Sequence, residues 1–549
     1  MSDLKRPAIL DATTAPFAGA SVRTADPTGG ATPRVRCADR AAPALSASLA
    51  ATMTLAVLLA GCMVGPDYVR PKVDTPAQYR FQFREVQETA NTRWWRGFND
   101  PVLDDLISQA LAHNWNVKIA AANVEAAAGV LSQARAPLFP QLTYNGVGER
   151  ARVSEDTATT IPGTFANPAD NFQVLAGASW EIDLWGRIRR QTEAARANLL
   201  ATEEARRGVI LSLVGTVASG YLQLRGLDSQ LALSKQTQAA YGESLRLFEA
   251  QFKYGQVSEM TVAQAKSQYE TASAQIPLLE RKIAQTENGI GVLLGRNPGP
   301  IPRGLPVETL VAPAVPAGVP SDLLARRPDI LEAEQQLIAA NARIGAARAL
   351  YFPTISLTGA LGTNSAQLAN LFSGPANTWS FAGTLAGPIF TAGAVSGQVA
   401  QAVALQQAAL NNYQRVIVGA FADVSNALVG REKLTAEVTT QQRLVQALSD
   451  YARLARLQFT GGYVPYSTVL QADQELFPAE LNLAATRAAS LIALVSIYQA
   501  MGGGWVDEAA REAPAPVRGK GPFAPAIPRA PGVVAPPAGA GSGVAGAAQ

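Results

Sequence analysis

Phe172-Gln-Val-Leu-Ala-Gly-Ala-Ser-Trp-Glu-Ile-Asp-Leu184, running into Trp185-Gly186-Arg187 and a proline-free interval from Gly186 to Gly255, decides the fold. Phe172, Val174, Ala176, Ala178, Trp180, Ile182 and Leu184 alternate with Gln173, Gly177, Ser179, Glu181 and Asp183, and only Leu175 breaks the pattern. A period of two predicts a strand with one apolar face and one small, polar face. Beyond Gly186 the composition turns to Ala, Leu, Gln, Glu and Arg, which favour helix. The interval is 69 positions, so at ~1.5 Å per residue it predicts a rod about 100 Å long. A helix of that length needs neighbours along its whole course.

The same sentence is written twice. Val117 to Ala136 leads into Pro137-Leu-Phe139-Pro140-Gln-Leu-Thr143, and Ile330 to Ala349 leads into Leu350-Tyr-Phe352-Pro353-Thr-Ile-Ser356. In each case proline stops a helix and an extended segment begins. The second copy has Ile355, Leu357 and Leu361 opposite Thr354, Ser356 and Thr358, then Trp379, Phe381 and Leu385 opposite Thr378, Ser380 and Thr384. Gly393 to Gly462 is again 69 positions without proline. Tight turns follow at Phe252-Lys-Tyr-Gly255-Gln-Val-Ser258 and Phe459-Thr-Gly-Gly462-Tyr-Val-Pro465, and return helices end at Leu294-Gly295 and Met501-Gly502, both 40 positions past the turn glycine. Gly255 and Gly462 suit the left-handed closing position of a helix, whereas Ser258 and Pro465 suit the start of the next.

These readings divide the chain at 1–61, 62–100, 101–300, 301–507 and 508–549. Strands are predicted at about 138–150, 172–184, 352–362 and 378–388, with helical tips at about 252–261 and 459–471. The fold class is α+β, with an internal two-fold repeat and four strands per chain. Stretches of about 10 alternating residues with aromatics near the ends suit a transmembrane barrel, although a sandwich strand gives the same alternation. Four strands cannot close a barrel alone. Two copies would give eight strands and a filled interior, and three would give twelve with room for a channel.

The N-terminal side reads as an export signal. An apolar run from about Leu45 to Ala60 follows Arg40 and ends in Leu59-Ala60-Gly61-Cys62, the cleavage and lipidation box of a bacterial lipoprotein. The run is too short to span stably. Acylated Cys62 would begin the mature protein, each buried methylene contributing ~0.8 kcal/mol of membrane affinity. Cys37 would be discarded, so no disulfide is expected. Met63, where Asp would favour inner-membrane retention, points to the outer membrane. Residues 1–40 are a long preamble, which predicts a start further downstream. Beyond Cys62 no long apolar segment stands out, and the Ala/Pro/Gly stretch 508–549 predicts a disordered tail. Net charge is +3, with 16% charged and 48% hydrophobic residues, a balance that does not describe a nucleic-acid-binding protein.

Taken jointly, several motifs resemble the TolC-like outer membrane factor family, in its OprM-like, NodT-type lipoprotein branch, over about residues 62–507. They are Trp94-Trp95-Arg-Gly-Phe98-Asn-Asp100-Pro101-Val-Leu103, Ser179-Trp180-Glu-Ile-Asp183-Leu184-Trp185-Gly186-Arg187, Leu305-Pro306, and Val319-Pro-Ser321-Asp-Leu323-Leu-Ala-Arg326-Arg327-Pro328-Asp329-Ile330-Leu-Glu332-Ala-Glu334 through Ala339-Ala340-Asn341-Ala-Arg343-Ile344-Gly345. The resemblance implies a homotrimer: a 12-stranded barrel in outer-membrane lipid, continued by a periplasmic helical barrel. Its tips would meet a periplasmic adaptor, or membrane fusion protein, and an inner-membrane pump of the resistance-nodulation-division type. The function implied is a passive exit duct for multidrug efflux, without cofactor beyond the diacylglycerol and N-acyl (palmitate) chains on Cys62. A gate is implied at the tips, with Gly255, Glu259, Thr261, Phe459, Gly462, Tyr463, Gln471 and Asp473 as candidates. Thr261 and Gln471 stand where family members often carry an acidic residue. Asp473, two residues on, points to another side of its helix, and Glu259 is the substitute for tip charge.

Other classes fit less. An enzyme is not expected: the single His113 has no ligand-spaced partner, Asp104 and Asp105 point to different helix faces, and no nucleophile elbow, phosphate loop or metal cluster is present. A non-conducting structural lipoprotein would explain Cys62 and the helices but not four alternating strands. Within the family, a channel for type I protein secretion is the alternative to small-molecule efflux.

Overall fold

The computed structural model describes residues 63–76, 78–79, 81, 92–154, 166–315 and 320–517. Cys62, the leader and residues 518–549 lie outside the described residues. The elements run α1 (Pro101–His113), α2 (Trp115–Arg135), β1 (Gln141–Ala151), β2 (Ala169–Ile182), α3 (Arg187–Lys253), α4 (Glu259–Leu293), α5 (Pro320–Arg326), α6 (Pro328–Arg348), β3 (Thr354–Ser365), β4 (Asn377–Ala386), α7 (Ala394–Thr460), α8 (Tyr466–Met501) and α9 (Trp505–Ala510).

Each strand-to-rod junction is built by the Glu-Ile-Asp-Leu-Trp-Gly-Arg segment or its counterpart. Gly186 and Gly393 take φ of 77° and 87°, a left-handed turn that glycine adopts without a Cβ penalty. The Asp183 carboxylate accepts from Ile188 N at 3.0 Å and Arg189 N at 2.9 Å, satisfying the first orphan amides of α3. Arg187 grips both Glu181 oxygens. Trp185 stacks on Phe352, with ring centroids 4.5 Å apart, and its Nε1 donates to Pro353 O at 2.7 Å. One motif therefore ties the first repeat to the Phe-Pro step of the second.

The four strands form one antiparallel sheet in the order β1-β2-β3-β4. Tyr144 lies opposite Ala176, Ala176 opposite Leu361, and Leu361 opposite Trp379, so the apolar sides of all four strands share one face. That face is bare: Tyr144, Leu361, Trp379, Phe381 and Leu385 are all exposed. Leu175, the break in the pattern, lies on the polar face over Gly362, where its Cδ2 stands 2.9 Å from the place a Cβ would occupy. The outer edges of β1 and β4 carry no partner among the described residues.

The helical core sits around α3. Trp94 stacks on Tyr498 at 4.8 Å, and Trp505 meets Trp94 and Trp95 edge-on. Asp100 caps α1 through Val102 N at 2.9 Å, while its other oxygen accepts from Tyr221 OH at 2.7 Å and Leu305 N at 3.1 Å. Arg327 closes the later junction motif, donating to Asp329 at 2.7 Å, Asp423 at 3.0 Å and Ala500 O at 3.0 Å.

Two expectations need correction. The tail does not begin at 508: Ala509 is fully buried, Glu512 pairs with Arg93, and Val517 N donates to Glu125 at 2.6 Å. Within 508–517, Ala509 and Ala513 are buried and Glu512 and Val517 find polar partners, details that the Ala/Pro/Gly count averages away. Also, α8 is long and apolar enough to cross a membrane, yet 56% of its apolar window is buried in the protein. Its hydropathy comes from packing against α3 and α7.

Candidate functional site: the helical tips

Both tip turns close in the same way. Gly255 and Gly462 have φ of 72° and 78°. Their amides donate to Phe252 O and Phe459 O at 2.9 Å, while Gln256 N and Tyr463 N reach back to Gln251 O and Gln458 O, also at 2.9 Å. These bonds satisfy the last carbonyls of α3 and α7. Ser258 caps α4, its Oγ lying 3.2 Å from Thr261 Oγ1. The capping hydroxyl is that of Ser258, which accepts from Thr261 N at 3.4 Å. Glu259 is exposed in the first turn of α4, where negative charge complements the helix dipole.

Behind the turns lies an aromatic knot. Phe248 is buried and meets Tyr466 at 4.4 Å and Phe459 at 6.2 Å. Tyr466 OH donates to Gln268 Oε1 at 2.9 Å, and Gln268 Nε2 donates to Leu470 O at 3.4 Å. Asp473 is 4% exposed and receives an Arg456 guanidinium hydrogen bond, while its carbonyl accepts from Tyr241 OH at 3.3 Å. Burial holds the Asp473 carboxyl above its ordinary range, opposed by Arg456, and burial together with Asp473 pushes Tyr466 up to about 12.

The structure therefore separates the tip candidates. Gly255, Glu259, Gly462, Tyr463 and Gln471 are exposed, and Gln471 Nε2 donates to Glu475 at 3.4 Å. Phe459 and Asp473 instead face inward, binding α7 to α8. Tyr241, Phe248, Gln268 and Arg456 belong to the same knot and carry no motif that marks them. Phe248 and Tyr241 lie seven residues apart on one rod, and Arg456 and Asp473 lie 17 apart across a turn. The helical spacing was a signal that could have found the first pair.

A sheet with one bare apolar face and two open edges, carried on paired rods that end in matched turns, defines an outer-membrane channel protein. Known proteins agree. The outer membrane efflux protein model matches residues 106–296 and 319–503, and the chain belongs to that family. It is 35% identical over 472 residues to the probable efflux pump outer membrane protein TtgC of Pseudomonas putida, covering 84% of this chain and 97% of that protein. It is 34% identical over 457 residues to the cation efflux system protein CusC of Escherichia coli K12, covering 82% and 98%. A crystal structure of CusC superposes with a TM-score of 0.72 at 33% identity, over 80% of this chain and all of that one. The open-state MtrE outer membrane channel of Neisseria gonorrhoeae gives 0.72 at 31%, over 81% and 99%.

Proposed function

We propose that this outer-membrane efflux protein is the passive exit duct of a three-part system, receiving cargo from an inner-membrane pump through a periplasmic adaptor. The observation that carries the reading is the sheet: its apolar side chains share one exposed face, and its edges are open. Only a closed barrel satisfies strand edges in lipid. Three copies give twelve strands, enough for a water-filled interior. The opposite face offers Thr143, Thr354, Ser356, Thr358, Ser380 and Thr384, which wet a channel without selecting cargo, so selectivity falls to the pump. A resistance-nodulation-division pump is the partner we favour, given the lipoprotein-type leader, and Cys62 is the acylation site.

Purified full-length protein in planar bilayers should give discrete conductance steps, and particles of three chains should be seen in detergent. Trimers that never conduct would replace the duct with a structural scaffold.

A further inference from the structure

Among the described residues α3 buries 25 side chains and α7, of equal length, buries nine. The arginines of the two rods differ in a parallel way. On α3, Arg190, Arg206, Arg207 and Arg225 are buried, and each is paired with a carboxylate. On α7, Arg431 is half-buried and has neutral partners alone: its Nη1 donates to Ser490 O at 2.7 Å and to Ser490 Oγ. Both protons of that nitrogen are then used, which leaves the Nε and Nη2 edge, the fork that grips an oxyanion at two points. Burial lowers the Arg431 pKa, and no neighbouring charge opposes the shift.

A second guanidinium shares the space. Arg431 and Arg487, from α7 and α8, line one cavity of about 240 Å³, and Arg487 makes no hydrogen bond or ion pair among the described residues. Val307 and Leu491, both buried, form an apolar part of the wall, where attraction between charges is less screened than in water. The one carboxylate in the wall, Glu308, accepts from Ser229 Oγ at 2.5 Å and pairs with neither arginine. Thr435 and Thr439 also line the cavity, but their hydroxyls donate to Arg431 O at 2.8 Å and Thr435 O at 3.1 Å, so the free donors are the guanidiniums. Two like charges around one space, with no anion between them, lack the pairing that buried charges need. The cavity has the volume of about eight water molecules at ~30 Å³ each, room for a small oxyanion but below the ~300 Å³ at which sites for drug-sized molecules begin. Arg431 lies 37 residues along α7 from Ala394, ~55 Å from the strand end, out of reach of a lipid headgroup at the sheet.

We infer that this cavity binds a small, doubly charged oxyanion from the aqueous side, phosphate or a short dicarboxylate, held between the Arg431 fork and Arg487. The anion neutralises one guanidinium from each of two antiparallel helices and so braces α7 against α8 beneath the Val307-Glu308 connector. Its binding is independent of what the duct carries.

The test is calorimetric titration of the full chain in detergent with inorganic phosphate and, separately, with malonate, at constant ionic strength. Saturable binding of one anion per chain is expected, and the anion that binds more tightly shows whether the site prefers a tetrahedral or a planar group. Arg487→Gln should weaken that binding about tenfold or more, the loss of one charge-assisted hydrogen bond. Arg431→Lys keeps the charge and a donor for Ser490 but loses the fork, and it should weaken binding as well. Arg443→Gln, exposed on the same rod and outside the cavity, should bind as the unmodified protein does. The melting temperature should rise with anion concentration and level off in the unmodified protein and Arg443→Gln, but not in Arg487→Gln; melting without anion shows that each variant is folded. Absence of saturable binding of either anion overturns the proposal. Undiminished affinity in folded Arg487→Gln and Arg431→Lys puts the anion elsewhere and overturns it equally.

Discussion

Glu204 offers a sharp test of how the rods are packed. It lies on α3 with 3% of its surface exposed, paired with Arg207 at 2.9 Å, and Arg207 also holds Asp507. Burial raises its pKa from 4.5 to about 7, with Arg207 opposing and Glu203 and Asp507 adding to the rise. A carboxyl whose folded pKa is raised stabilises the fold fully below its unfolded value, and that contribution is lost as pH climbs through about 7. The difference corresponds to roughly 3 kcal/mol at most. Glu204→Gln removes the titration but keeps an oxygen for Arg207, which retains Asp507 as its charged partner. The melting temperature of the variant minus that of the unmodified protein should therefore increase between pH 5 and pH 8, by on the order of a few degrees. Asp473, Glu332 and Glu480 are also held high by burial, but both proteins share them and they cancel in the difference. Differential scanning fluorimetry in detergent across that range is the assay. Profiles that stay parallel would refute the argument that burial outweighs the Arg207 pair.

Asp100→Asn should lower stability by about 2–4 kcal/mol, because an amide nitrogen would face the Leu305 N–H and the Tyr221 hydroxyl would lose its charged acceptor; non-additivity with Tyr221→Phe in denaturation checks the coupling. Truncation after Val517 should leave the melting temperature unchanged, whereas truncation after Gly504 should lower it by several degrees, since Trp505, Val506 and Ala509 fill the core. Cys62→Ser should abolish incorporation of labelled fatty acid, and continued labelling would end the lipoprotein reading. Gln471→Asp should raise cation preference in conductance records, and unchanged reversal potentials would move the constriction elsewhere.

How much was legible depended on the distance between causes. The repeat, the strand alternation and the rods were written locally, in spacing and in proline placement, and the elements form there. Asp473 was legible as turned away from Gln471 because 3.6 residues per turn fixes angles within a helix. Its partners were not: Arg456 and Tyr241 come from α7 and α3, and nothing local says which faces meet. The tail failed for the opposite reason. Composition averaged over 508–549 hid the few side chains before residue 518 that had a place to go. Leu175 looked like an error in a strand and is a lid over Gly362, which only the pairing register reveals.

The unequal burial of two equal rods has a mechanical consequence. Helix α3 is packed on both sides by its own chain, against α2 and α6, and carries buried charges such as Arg190 and Glu204 whose partners are also in that chain. Helix α7 meets α6 and α8 and leaves the rest of its surface exposed, with Arg415 its one charge from Ala394 through Ala422. Damage to α3 should therefore act on folding of the single chain, and damage to the exposed face of α7 on the joining of chains. Near the tip the division changes: Arg456 on α7 is joined to Asp473 on α8, and the aromatic knot draws Phe248, Phe459 and Tyr466 from three helices. The tip hairpins are thus held to each other within one chain, so a displacement of one hairpin there must carry the other or break that knot.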